Sequence, residues 1–198
     1  MDTMKHFEYW FDFGSPAAYL AWTQLPRLAR ETGATAVYKP MLLGGVFQAT
    51  DNRSPASIPA KGKYTFTDFD RFATRYGVPL RTNPHFPINT ITLMRGAVAL
   101  QMRNDPRFID YCDAMFKAIW VESLNMNDPA IVGAALLKAG FEPAALLALT
   151  AEPGTKDALK TATQEAVTRG IFGAPTFFVD GQMFWGQDRI DFVKEALQ

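Results

Sequence analysis

The chain is poor in the residues that most often announce chemistry. Its 198 residues include one cysteine and two histidines. A single thiol, Cys112, cannot close an internal disulfide, form a CxxC redox pair or build a cysteine-ligated zinc site. Two imidazoles, His6 and His85, leave little for a histidine metal centre, and no metal site is expected. Charge of one sign is lacking too, because 20 Lys+Arg balance 20 Asp+Glu. A neutral chain has no electrostatic footprint of a general nucleic-acid binder. No run approaches the roughly 20 apolar residues of a membrane span. The apolar stretch Phe7–Phe13 carries Glu8 and Asp12, so it is no signal-peptide core. A free thiol without a disulfide fits a reducing compartment, and a cytoplasmic location is the expectation.

What is present is material for a core. The apolar fraction of 48% is ordinary for a packed protein and too high for disorder. At this length the chain is one domain, or one domain with a large insertion. Phe7–Phe13, ending at Gly14, reads as a buried first strand. Ser15-Pro16 starts a helix, since proline at a first helical position lacks only an N–H that was unpaired anyway. Tyr19, Leu20, Trp22, Leu25 and Leu28 keep helical spacing to about Arg30, and Gly33 ends it. Thr35–Lys39 is a second strand, so the opening is β-α-β with a parallel pair.

The middle is different. Thr50–Lys63 is rich in proline, glycine and small polar residues and reads as a loop. Helical patterns follow at Tyr64–Tyr76, from Asn89 past Leu100, at Phe108–Trp120, Asp128–Lys138 and Pro143–Leu149. Cys112 falls in one of them and reads as a buried helical residue. Asp68 and Asp70 read as a charged helix face. The end returns to mixed structure: helix Lys156–Thr168, strand Phe177–Asp180, an Asp180-Gly181 hairpin signal, strand Gln182–Trp185 and a closing helix from Asp188. The pattern predicts an α/β chain of thioredoxin-like fold with a large all-helical insertion. Residues 5–45 and 153–198 would form the thioredoxin-like part, and 46–152 the helical insertion.

Two junctions carry chemistry in such a fold. Ser15 stands at the start of the first helix, where unpaired N–H groups favour an anion. Pro175, in Gly173-Ala174-Pro175-Thr176, precedes a strand and matches a cis-proline loop that would turn the Ala174 backbone toward Ser15. Taken singly, Ser15 also reads as a plain N-cap and Pro175 as a trans proline opening a strand.

The junctions belong to a longer series. Asp12-Phe13-Gly14-Ser15-Pro16, Lys39-Pro40 with Leu43-Gly44-Gly45-Val46-Phe47, Asn52, Lys61-Gly62-Lys63-Tyr64, Phe86-Pro87-Ile88-Asn89-Thr90, Gly170 to Thr176 and Phe184-Trp185-Gly186-Gln187-Asp188-Arg189 occur in this order. From about Phe7 to Ala196 the chain resembles the 2-hydroxychromene-2-carboxylate isomerases, bacterial relatives of kappa-class glutathione transferases within the DsbA-like group. The resemblance implies a glutathione-dependent enzyme with Ser15 as the catalytic residue that stabilises the glutathione thiolate. It implies cofactor contacts at Ser15, Pro16, Asn52, Ala174, Pro175, Gln187 and Asp188. Asp188 would meet the γ-glutamyl ammonium. For a small aromatic carboxylate substrate it points to Lys61 and Asn89, with Phe47, Phe86 and Trp185 as apolar walls. Lys39, Lys63, Arg81 and Arg95 are further cations near these motifs, and His85 is a weaker acid–base candidate. Relatives in the family are often dimers, so a homodimer is implied. The family often has Tyr where this chain has Ala17, and Ser or Asn where it has Gln187.

The implied reaction takes 2-hydroxychromene-2-carboxylate to trans-o-hydroxybenzylidenepyruvate in naphthalene-type catabolism. Two rivals share the site: a kappa-type transferase that conjugates glutathione to an electrophile, and a non-catalytic thiol- or peptide-binding module. A disulfide oxidoreductase would need a thiol where Ser15 stands.

Overall fold

Strand β1 (His6–Phe11) is the strand on which the sheet is assembled, in a computed structural model that describes residues 5–198. It pairs in parallel with β2 (Thr35–Pro40), setting Tyr9 beside Tyr38. On its other side it pairs antiparallel with β3 (Thr176–Val179), setting Tyr9 beside Phe177. A last strand, β4 (Gln182–Trp185), completes the order β2-β1-β3-β4. The β3–β4 turn places Asp180 at φ 46° and Gly181 at φ 81°, and the doubly left-handed turn is the one that Asp-Gly suits.

Strand alternation divides the core. Phe7, Tyr9, Phe11, Phe177 and Val179 join the large cluster on one face of the sheet. Trp10 and Phe178 point the other way, into a smaller cluster with Met41, Val46, Ala166 and Ile171.

The helix predicted from Pro16 to about Arg30 is two helices, α1 (Pro16–Trp22) and α2 (Leu25–Thr32). Pro26 sits in the first turn of α2, where its missing N–H interrupts the ladder that would have joined them. Another difference is α3 (Leu43–Thr50), absent from the sequence reading because Gly44-Gly45 lowers helix propensity. The predicted loop Thr50–Lys63 is also shorter. After a 3-10 turn at Pro55–Ser57, α4 runs from Pro59 to Tyr76, so Lys61, Gly62 and Lys63 lie on a helix.

The helices α5 (Ile91–Met102), α6 (Phe108–Trp120), α7 (Pro129–Lys138) and α8 (Pro143–Ala151) follow as predicted to within a few residues. Cys112 is fully buried in α6. The closing unit is α9 (Pro153–Thr168), the β3–β4 hairpin, a 3-10 turn at Gln187–Arg189 and α10 (Ile190–Ala196). Among the described residues no helix is long and apolar enough to cross a membrane.

Candidate active site

Ser15 lies just ahead of α1 with φ −100° and ψ 116°, the extended geometry of an N-cap. Its Oγ accepts a hydrogen bond from the Ala18 N–H at 3.1 Å. The same hydroxyl donates to the Ala174 carbonyl at 2.9 Å, across 159 residues of chain. The Ala174–Pro175 peptide is cis. Capping and the link to the proline loop are therefore simultaneous properties of one hydroxyl. Pro16 has no N–H, and Ala18's is taken by Ser15, so the Ala17 N–H is the donor left over in the first turn.

Directly behind Ser15 is Asp12, which is buried. One carboxylate oxygen accepts from the Gly14 N–H at 2.8 Å and the Thr90 hydroxyl at 2.7 Å. The other accepts from the Leu43 N–H at 2.7 Å, and the Asp12 carbonyl accepts from the Ser15 N–H at 3.1 Å. One side chain thus joins the β1–α1 turn, the start of α3 and the approach to α5. Burial pushes its carboxyl above the ordinary carboxylate range, against the opposing pull of the Thr90, Gly14 and Leu43 donors.

Ser15 opens onto a cavity of about 1010 Å³, at the upper end of the volumes of small-molecule sites. Its lining includes the α1 start, the Gly173–Ala174 loop, α4 and the segment from Asp51 to Ile58. Of the residues expected at the site, the structure brings together Ser15, Pro16, Phe47, Asn52, Lys61, Phe86, Ala174, Trp185, Gln187 and Asp188. Pro175 stands just behind this lining, its carbonyl accepting from the Gly186 N–H at 3.0 Å.

Asn89 is not brought in. It is exposed, and its side chain accepts from the Ile91 N–H at 3.2 Å at the entry to α5. Of the other cations, Lys39 lies over the Trp10 ring and 3.6 Å from Glu165, and Arg95 faces a different cavity. Lys63, Arg81 and His85 do not line the large cavity either.

The details of the lining show how each group is held. Asn52 Nδ2 donates to the Phe172 carbonyl at 2.8 Å, tying the end of α3 to the proline loop. Asp188 lies 2.9 Å from the Arg189 guanidinium. The turn before it depends on Gly186, at φ 109°, where a Cβ would come within 2.5 Å of the Asp188 carboxylate. The Tyr76 hydroxyl, at the end of α4, donates to the Gln187 carbonyl at 2.8 Å. Trp185 packs on Phe172 with ring centroids 4.9 Å apart, and on the bare face of Gly173.

Arg53, Phe66 and Phe69 line the cavity without having been singled out from sequence. The aspartates and arginines of α4 drew attention to its solvent face, while its apolar spacing carried Phe66 and Phe69 to the other. Arg53 had no motif around it.

Residues 7–198 match the DSBA-like thioredoxin domain model. The chain belongs to the DsbA-like thioredoxin family. A 2-hydroxychromene-2-carboxylate isomerase of Sphingobium xenophagum is 32% identical to this DsbA-like protein over 195 residues, covering 98% of each chain. Human glutathione S-transferase kappa 1 is 26% identical over 206 residues, covering 96% of this chain and 89% of that one. A solved 2-hydroxychromene-2-carboxylate isomerase superposes with a TM-score of 0.85 at 26% identity, over 97% of this chain and 94% of its own. The sheet and helices described above are thus the DsbA-like thioredoxin fold, with a serine at the start of α1. The one thiol of this family member, Cys112, is enclosed in α6 and raised well above the usual thiol range by burial and then by Asp113.

Proposed function

We propose that the protein is a glutathione-dependent isomerase converting 2-hydroxychromene-2-carboxylate to trans-o-hydroxybenzylidenepyruvate in naphthalene-type aromatic catabolism. The observation that carries the reading is one cavity lined by Ser15, whose hydroxyl bonds to the Ala174 carbonyl, together with aromatic side chains and the cations Lys61 and Arg53. The isomerase name of a relative matched along nearly the whole chain supports it. In the same proposal the protein acts in the cytoplasm as a homodimer.

The lining suits glutathione. A hydroxyl and a leftover helical N–H flank the place for a sulfur, Ala174 offers backbone groups to an extended peptide, and the Asp188 carboxylate suits an ammonium. When bound, glutathione would supply a thiolate that adds reversibly to the conjugated carbon of the chromene acid and so frees a rigid double bond to rotate.

The residues of the chain have the remaining tasks. The Ser15 hydroxyl turns from the Ala174 carbonyl toward the sulfur while Oγ keeps the Ala18 N–H, so the donor is placed at no cost to the cap. The Ala174 carbonyl, released, accepts from the peptide backbone of the cofactor. Asn52 acts by bracing the proline loop rather than by direct contact, since its amide is already bonded to Phe172. Lys61 and Arg53 hold the substrate carboxylate, the guanidinium by a fork of two hydrogen bonds. Phe47, Phe66, Phe86 and Trp185 offer flat apolar faces to an aromatic ring and exclude water from it.

Ser15→Ala tests the assignment. Turnover of the hydroxychromene should fall on the order of 100-fold, while stability drops by about 1 kcal/mol for the lost cap. The assay is the ultraviolet change on isomerisation, with and without glutathione. Full activity in the variant, or in the absence of glutathione, would remove the proposal. The kappa relatives favour a second reading, conjugation to an electrophile, in which glutathione is consumed in stoichiometric amount instead of being regenerated.

A further inference from the structure

We infer that a second cavity, on the opposite side of α3, binds a small organic anion. This inference is independent of the function proposed above. The cavity has a volume of about 290 Å³ and lies between α3, α5 and α9. The two sites share α3 as a wall: Leu43, Gly44 and Phe47 face the large cavity, and Leu42, Gly45 and Ala49 face the small one.

Its charge is one-sided. Arg95 from α5 and Lys156 and Lys160 from α9 line it, and no aspartate or glutamate does. None of the three pairs with a carboxylate among the described residues. Lys156 and Lys160 are four apart on one helix, where like charges repel, and Arg95 adds a third positive charge to the same lining. The Arg95 Nε–H is enclosed by protein and has no acceptor among the described residues. An oxyanion among these three cations offsets the repulsion.

The rest of the lining narrows the ligand. Leu42, Ile91, Leu159 and Val167 make an apolar floor beneath the cations. A bare ion would leave that floor wet, whereas a carboxylate or phosphoryl group on a single small ring would cover it. The volume, near the lower end of ligand sites, sets the same limit on size.

The test is titration of the full chain with benzoate, phenyl phosphate and inorganic phosphate in turn, followed by amide shifts in proton–nitrogen spectra. Either ring-bearing anion should saturate and move the amides of Leu42, Gly45, Ala49, Arg95 and Thr163, and the tighter of the two identifies the head group. Inorganic phosphate should bind about tenfold more weakly, for want of apolar contact. The double variant Lys156→Gln/Lys160→Gln, changed only at exposed positions, should keep its fold and lose affinity about tenfold or more. Lys138→Gln, on the remote helix α7, should bind as the wild type does. The inference fails if the shifts gather around Ser15, Phe47 and Arg53, or if the double variant binds unchanged. It fails equally if Lys138→Gln weakens binding to the same extent, or if no titration saturates by about 10 mM.

Discussion

Asp12 shows how much one buried side chain organises here. Its carboxylate is matched by donors from Gly14, Thr90 and Leu43, and all three depend on acceptor oxygens at both ends of the group. Asparagine keeps the shape but replaces one oxygen with an NH₂ that must face a donor. Asp12→Asn should therefore cost about 1–3 kcal/mol at pH 7, read from denaturant midpoints. The cost depends on pH in a defined direction. Burial raises the native carboxyl, so the native state holds a proton at pH values where the unfolded chain, near 3.9, has lost it. The wild type should gain stability relative to Asp12→Asn as pH falls through the native value, and the gain is complete below the unfolded one. An advantage that stays flat as the medium is acidified would show that Asp12 is not held in this way. The Asp12-Phe13-Gly14-Ser15-Pro16 motif was visible in the sequence, yet the work of Asp12 was not, because its partners Thr90 and Leu43 are 78 and 31 residues away. Ser15 was easier to find, since serine before proline at a helix start is local chemistry. Asn89 shows the opposite case: a family-like segment nominated it, yet it lies outside the cavity lining, and its side-chain oxygen accepts from the Ile91 N–H at the entry to α5.

Among the elements, α4 does most to close the large cavity. Lys61, Phe66 and Phe69 face inward along it, and Tyr76 at its end reaches the 3-10 turn that carries Asp188. Tyr76→Phe removes the hydrogen bond to the Gln187 carbonyl and leaves the ring in place. The expected result is a loss of about 1 kcal/mol in stability and weaker glutathione binding by calorimetry, with little change in turnover at saturating glutathione. A variant that binds glutathione as tightly as the wild type would free α4 from this positioning role. The extent of α4 was only partly legible. Its C-terminal half has clear helical spacing, but Pro59, Gly62 and the preceding Ser-Pro sequence are loop signals, overridden once the helix start packs against the Pro55–Ser57 turn. At α3 the two glycines hid a helix for a similar reason: its stability comes from Val46 in the smaller core cluster and from packing on α9, contacts no local pattern contains.

At the scale of the molecule, tyrosine hydroxyls wholly or partly buried set a limit at high pH. Tyr19 donates to the Pro79 carbonyl and Tyr76 to that of Gln187, and burial pushes both up to about 12. Tyr9 and Tyr111 are raised as well, chiefly by burial. An unfolded tyrosine ionises near 10. As pH rises from about 10 to about 12, the unfolded chain releases protons that the native chain keeps, so stability should decline across that interval and be unaffected by these groups below it. Urea midpoints measured through the interval test this, and Tyr19→Phe should make the decline shallower. A constant midpoint would contradict the burial of these hydroxyls.

The sequence by itself determined most of the order of strands and helices, though not α3 or the break between α1 and α2, and also the thioredoxin-like class, the Ser15 helix start, the Asp180-Gly181 turn and the absence of a thiol at the site. Each of these depends on residue type or on neighbours within a few positions. Only the tertiary structure decided that the Ser15 hydroxyl bonds to Ala174, that Arg53, Phe66 and Phe69 join the cavity, and that Arg95, Lys156 and Lys160 line another. These are meetings between segments far apart in the chain. They are set by which apolar faces pack together and which buried polar groups find partners, and a balanced sum of charges gives no sign of them.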